Sequence, residues 1–168
     1  WSYVLAVNLA TEINLTAAEL GQGHGDSAMV AWKRAPSGAV GKVTIRPFDA
    51  THPLTLTACP LPKNPLAAPD LGSLHWNVAP VLKGGLIILG EWDKWATMSA
   101  RRVSAFSTND KTTTAVITGA PGEVVVIAYI SRTSVPKTTT CSFPSAAASS
   151  CRAVKHNNTD CTLILTCE

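Results

Sequence analysis

The chain has 168 residues, of which 46% are hydrophobic and 15% charged, and 14 basic against 11 acidic side chains leave a formal net charge of +3. That composition excludes intrinsic disorder, and the basic excess is too small for a nucleic-acid-binding surface. The longest apolar stretches, at 86–89 and 124–130, fall far short of the ~18 residues that a membrane-spanning helix needs.

The pattern at the start of the chain is alternation. Trp1, Tyr3, Leu5, Val7 and Leu9 recur at every second position, which predicts a strand over 1–9 with those five side chains on one face. Thr16-Ala17-Ala18-Glu19 has the spacing of a capping box, but Gly21 and Gly23 limit any helix to about one turn. Short β-branched and aromatic runs bounded by Gly, Pro, Asn and Asp predict strands at 28–33, 43–48, 54–58, 74–82, 86–89, 113–118, 124–130, 138–143, 152–156 and 162–167. The run at 124–130 has no polar residue and reads as a central strand buried on both faces. The Pro-rich stretch 60–69 is too short to separate domains, and 142–150, with three consecutive alanines, reads as a low-complexity loop.

These elements predict an all-β fold: a two-sheet antiparallel β-sandwich, immunoglobulin-like or jelly-roll-like, with at most a single short helical turn. It is expected as one domain over 1–168, with Cys-rich strands at 138–168. Trp32, Leu54, Leu56, Trp76, Val78, Ile87, Val124 and Val126 are the expected core.

The five cysteines lie at 59, 141, 151, 161 and 167, and four of them in the last 28 residues favour an oxidising compartment. No Cys-x-x-Cys or His-x-x-x-His spacing points to a metal. If 161–167 is extended, Cys161 and Cys167 stand about 20 Å apart, beyond the ~7 Å a disulfide tolerates. Their partners are then expected among Cys59, Cys141 and Cys151, with one thiol left over; Cys151 with Cys161 is the favoured pair, followed by Cys141 with Cys167. The sequons Asn14-Leu15-Thr16 and Asn157-Asn158-Thr159 make Asn14 and Asn157 glycosylation candidates. The chain opens on Trp1 and not on Met, so a processed product or a fragment of a longer protein is expected.

Few constellations carry chemistry. Gly23-His24-Gly25-Asp26-Ser27 holds the residue types of a hydrolase triad, but neighbours on one loop cannot align nucleophile, base and acid, and a Gly-rich turn is the better reading. His52, His75 and His156 are scattered singly. In Gly90-Glu91-Trp92-Asp93-Lys94-Trp95 a strand would place Glu91 and Asp93 ~7 Å apart on one face, without the cleft of a glycosidase or the oxygen ligands of a calcium site. Trp92 and Trp95 are candidates for stacking on a sugar ring, or else they close a core. Arg101 and Arg102 read as a solvated or salt-bridged face.

Ile45-Arg46-Pro47-Phe48-Asp49-Ala50 with Pro53-Leu54-Thr55-Leu56, then His75-Trp76-Asn77-Val78-Ala79-Pro80-Val81 with 85–99, then Gly119-Ala120-Pro121-Gly122-Glu123 leading into 124–130 follow one another in the chain. Together they resemble the C-terminal β-sandwich of raffinose-synthase and α-galactosidase type glycosidases over about two-thirds of the sequence. The catalytic carboxylates of that family belong to a barrel absent from these residues, so the resemblance implies an accessory domain and transfers no active site. The Cys-rich end departs from the family pattern.

Two functions follow as expectations. The first is a non-catalytic extracellular or cell-surface structural subunit, a homo-oligomer or homopolymer in which strand 1–9 is donated to a neighbour. The second is an accessory or carbohydrate-binding domain of a glycoside hydrolase. No catalytic residue, cofactor, metal, nucleic acid or membrane span is expected in either.

Overall fold

A computed structural model describes residues 1–21, 28–34, 43–60, 73–109, 112–130, 135–143 and 162–167. The fold is all-β, built of mostly antiparallel sheets in a sandwich-like arrangement, with a short 3-10 turn at Lys83–Gly85 among the described residues. The chain divides into two compact units, Trp1–Ala35 with Val43–Pro80 and Pro36–Lys42 with Val81–Glu168.

The first unit contains β1 (Ser2–Val7), β2 (Ile13–Leu15), β3 (Met29–Arg34), β4 (Val43–Phe48), β5 (Leu54–Leu56) and β6 (Ser73–Pro80). Four of these form a sheet in the order β1-β6-β3-β4, and β2 pairs with β5. One face of the sheet supplies Val4, Trp76, Val78, Ala31 and Phe48, and the β2–β5 pair supplies Leu54 and Leu56, to a single buried cluster. This is sheet-on-sheet packing, with alternate residues of each strand turned inward. Directly after β2 the expected capping box forms: Thr16 N donates to Glu19 Oε2 at 2.7 Å, and Glu19 N to Thr16 Oγ1 at 3.4 Å. Gly21, at φ +67°, closes the single turn by donating to Ala18 O.

The second unit contains β7 (Ile87–Glu91), β8 (Val103–Thr108), β9 (Thr112–Ile117), β10 (Val124–Ile130), β11 (Pro136–Ser142) and β12 (Thr162–Cys167). They form two three-stranded sheets, β11-β10-β7 and β12-β9-β8. Thr113, Ala115 and Ile117 alternate as the buried row of β9. Between β7 and β10 the register shifts so that Ala128 faces Gly90 and Tyr129 faces Ile88, leaving Leu89 as a bulge residue. Gly90 has φ +89°, and a Cβ there would stand 2.1 Å from the Thr97 carbonyl oxygen, so the bulge requires glycine.

The sequence places several elements correctly and misreads others. Strands at 43–48, 124–130 and 162–167 have the expected bounds, and β10 is the central strand of its sheet. Trp32, Leu54, Leu56, Trp76 and Val78 are buried as expected. The phase of β10 is the reverse of the expectation: Val125 and Ile127 are buried, whereas Val124 is 61% exposed and Val126 is half-buried, as is Ile87. In Val-Val-Val-Ile-Ala-Tyr-Ile nothing polar marks the outward positions, so both phases read alike. The sheets are not wholly antiparallel, because β12 runs parallel to β9. A parallel return needs a connection of about a dozen residues or more, and the 44 residues between β9 and β12, with β10 and β11 among them, supply it. Strands β2 and β8 were not expected, the first because it spans three residues and the second because Ser and Ala dilute its apolar signal. The expected strand at 152–156, the Gly23–Ser27 loop, most of the Pro-rich stretch, and Cys151, Cys161, His156 and Asn157 lie outside the described residues.

Truncation experiments read the phase of β10 directly. Ile127→Ala should lower unfolding free energy by about 2–5 kcal/mol in urea titrations, and Val124→Ala should change it by no more than about 0.5 kcal/mol.

Candidate functional site

The residues singled out for assembly all lie on or beside β1, the outermost strand of its sheet among the described residues. That strand pairs antiparallel with β6 of its own chain, Ser2 opposite Val78 and Val7 opposite Ser73. Its alternation is as expected, but the faces are reversed. Val4 enters the core, while Leu5 and Val7 are 59% and 58% exposed and Tyr3, also exposed, stacks on His75 with ring centroids 6.4 Å apart. Trp1 is half-buried, and Leu9, half-buried, packs against the core and forms a bridge with Cys59. Both faces of β1 are apolar, so residue type cannot say which one is buried.

The candidate sugar platform is divided by burial. Trp92 is buried, whereas Trp95 is 65% exposed, so the two indoles do not present one stacking surface. Strand β7 ends at Glu91, and Asp93 follows in a turn, exposed, with Lys94 Nζ at 3.5 Å. Glu91 and Asp93 thus do not share the strand face expected of them. Asn14 lies in β2 rather than in a turn. It is exposed, and its Oδ1 accepts a hydrogen bond from Thr55 Oγ1 at 2.7 Å. Cys59 is half-buried and a free thiol, Cys141 is buried in β11 and is not free, and Cys167 ends the extended strand β12.

The most ordered polar constellation is one that the sequence suggests only as a salt-bridged face. Arg102, immediately before β8, sends Nε to Glu91 Oε1 at 3.0 Å, Nη2 to Glu123 Oε1 at 2.5 Å, and Nη1 to both Glu123 Oε2 at 3.0 Å and the Thr118 carbonyl at 2.5 Å. The side chains are 17%, 9% and 31% exposed for Arg102, Glu91 and Glu123. Backbone geometry holds each partner. Gly90 and the Glu91 N–H bond to Thr97 O, at 2.7 Å, fix Glu91. The Ala120-Pro121-Gly122-Glu123 turn, closed by Glu123 N on Ala120 O with Gly122 at φ +81°, fixes Glu123. The turn's Ala120 N–H also donates to Glu123 Oε2 at 2.8 Å. Thr118 N in turn donates to Arg102 O at 2.9 Å, so side chain and backbone of Arg102 grip the same residue.

A guanidinium that engages both carboxylates leaves neither poised as a general acid or base, and the arrangement is a clasp joining the ends of four strands. Hydrogen bonding from Arg102, with a smaller contribution from Ala120, holds the Glu123 carboxyl below its ordinary value, and the Arg102 pKa is raised, chiefly by Glu123. A second carboxylate, Asp49, closes an exposed loop by accepting from Thr51 Oγ1, Thr51 N and His52 N, and it also bonds His52 Nδ1. These bonds, the Thr51 hydroxyl first and then His52, hold it well below the usual carboxylate range. In this loop Nδ1 of His52 meets both the carboxylate and the Thr51 hydroxyl, at 2.9 Å each, so no acid-to-base-to-nucleophile relay runs through the ring. Among the described residues no three His, Cys, Asp or Glu side chains gather as a metal site, and no helix is long and apolar enough to cross a membrane.

Comparison of the chain with protein-family models, with curated proteins and with solved structures finds no match in any of the three.

Arg102→Met should leave Glu91 without its cation and lower stability by about 2–3 kcal/mol at pH 7. The folded pKa of Glu123 lies below the unfolded one, so its contribution is present above about 4.5 and lost as pH falls through the folded value. The variant should therefore lose stability less steeply than the parent below that pH in parallel urea titrations. Thr97 Oγ1 is buried with no hydrogen-bond partner among the described residues. Thr97→Val should accordingly raise stability by about 1 kcal/mol, measured the same way.

Proposed function

We propose that the protein is a non-catalytic structural subunit of an extracellular assembly, and that copies join edge to edge through β1. The observation that carries this reading is the character of that edge. Ser2–Val7 has no charged side chain and no proline, the devices with which sheets usually blunt an exposed edge, while Leu5 and Val7 remain exposed. The other edge, β4, carries Arg46 and Pro47 and is defended by both. The expected partner of β1 is therefore β1 of a second copy. Antiparallel pairing with Leu5 opposite its mate would set Tyr3 and Val7 of one copy beside Val7 and Tyr3 of the other, giving one apolar stripe across a continuous sheet. Such pairing leaves the β1–β6 ladder intact and so needs no strand donation. An extracellular setting is supported by the two sequons, by the clustered cysteines, and by Cys141, which joins a cysteine of the C-terminal stretch in this reading.

The second reading, a carbohydrate-binding accessory domain, draws on the exposed Trp95 and on the resemblance to the sandwich of raffinose-synthase type enzymes. Light scattering coupled to gel filtration separates the two. The first expects the parent chain to shift from monomer to dimer or higher species with rising concentration, and Leu5→Lys with Val7→Lys to remain monomeric with an unchanged circular dichroism spectrum. A parent chain that stays monomeric at high concentration and is retained on a polysaccharide column would reject it in favour of the second.

A further inference from the structure

We propose that Lys33 and Arg46, held over Trp76, form a binding site for an oxyanion of the sulfate type, as a free ion or carried on a saccharide. The inference is independent of the assembly reading, since none of the three residues lies on β1: they stand on β3, β4 and β6 of the same sheet. Lys33 follows Trp32, whose partner on β6 is Asn77, so one step further along the ladder it lies beside Trp76. Its Nζ is 5.0 Å from the centroid of the Trp76 ring. On the next strand Arg46 pairs with Ala31, which is fully buried and too small to obstruct it, and the Arg46 guanidinium carbon comes 5.6 Å from the same ring. Both cations reach Trp76 from the same side of β6, because β3 and β4 follow it in the sheet order.

The charge on this patch is not balanced. Among the described residues neither Lys33 nor Arg46 has a carboxylate partner: the ion pairs engage His52, Lys94 and Arg102. The ring quadrupole attracts each cation, but it carries no net charge, so two positive groups gathered on one indole repel each other within a Debye length. An oxyanion between them would relieve that repulsion and accept from both, the guanidinium as a planar fork and the ammonium as a point charge. Thr44, opposite Lys33 in the ladder and exposed, supplies a hydroxyl in the same row. Trp76 itself is buried, so it positions the cations and does not stack on the ligand.

The bland role for the pair is to roof Trp76 with their aliphatic stems, and methionine at either position keeps a stem while removing the charge. The test is titration of the isotopically labelled full chain with sodium sulfate, following the Trp76 indole N–H resonance, against sodium chloride of equal ionic strength. The expected result is a saturable shift with sulfate alone, weakened about tenfold or more in Lys33→Met and in Arg46→Met, and retained in the charge-conserving Lys33→Arg. Amide spectra of all variants should overlay away from the patch; should a methionine variant fail to fold, Arg46→Lys with Lys33→Gln takes its place. Tighter binding of a heparin hexasaccharide than of sulfate would assign the anion to a saccharide, and equal or weaker binding would assign it to the free ion. A linear response identical to that with chloride, or an affinity unchanged in both charge-removing variants, overturns the proposal.

Discussion

A guanidinium withdrawn from water must have its donors met, and the second unit is organised around that requirement at Arg102. Its acceptors come from the end of β7, the end of β9 and the turn before β10, while Arg102 itself opens β8. Four strand ends from two sheets are thus tied to one planar group whose charge does not vary in the ordinary pH range. The tie in turn imposes local conditions. A glycine must stand at 90 so that the bulge can bring the backbone against Thr97, and a left-handed residue must stand at 122 so that Glu123 can turn back on its own loop. An ion pair of this kind contributes less net stability than its geometry suggests, because desolvation offsets most of the attraction, but it strongly penalises any arrangement in which one partner is missing.

The first unit meets a different problem by a different means. It covers one face of a four-stranded sheet with only a two-stranded pair, and Leu54 and Leu56 on β5 join the sheet's own residues in the core. Trp76 and Phe48 are the large residues of this layer, and the side chains of Lys33 and Arg46 reach over the Trp76 ring with their charged ends 5.0 and 5.6 Å from its centroid. Long cationic side chains thereby serve as cover as well as charge. At the opposite end of the strand order, Leu5 and Val7 of β1 have no equivalent covering and stand in solvent.

How much of this was legible in the sequence depends on whether polar residues marked the outward positions. Strand β4, Val-Thr-Ile-Arg-Pro-Phe, is bounded and phased by its Thr and Arg, and its limits are as expected. Strand β10 has no such marks, and its phase was misread by one residue. Strand β1 was recognised but turned inside out, because its larger side chains are the outer ones. The clasp was legible only as a pair of arginines. Its partners lie 11 and 21 residues away along the chain, a separation no local pattern encodes, although Pro121-Gly122 beside Glu123 did mark the turn that delivers one of them. The tryptophans of the 90–95 segment were singled out by composition, which says nothing of burial, and the backbone separated them into one buried and one exposed.

The connectivity of the two edge strands bears on how the chain comes to be folded. Strand β1 pairs with residues 66 to 76 positions later, and β12 with residues fifty positions earlier. Contacts so distant along the chain are slow to form, because each must close a long loop before any ladder rewards it. During synthesis at 5–20 residues per second, roughly, the uncharged segment Ser2–Val7 therefore waits several seconds for β6 to emerge. Throughout that interval both its backbone edges and both its apolar faces are open to other nascent chains. The same absence of charge that suits a mature edge for joining copies makes this segment the one most in need of a chaperone before the sheet closes.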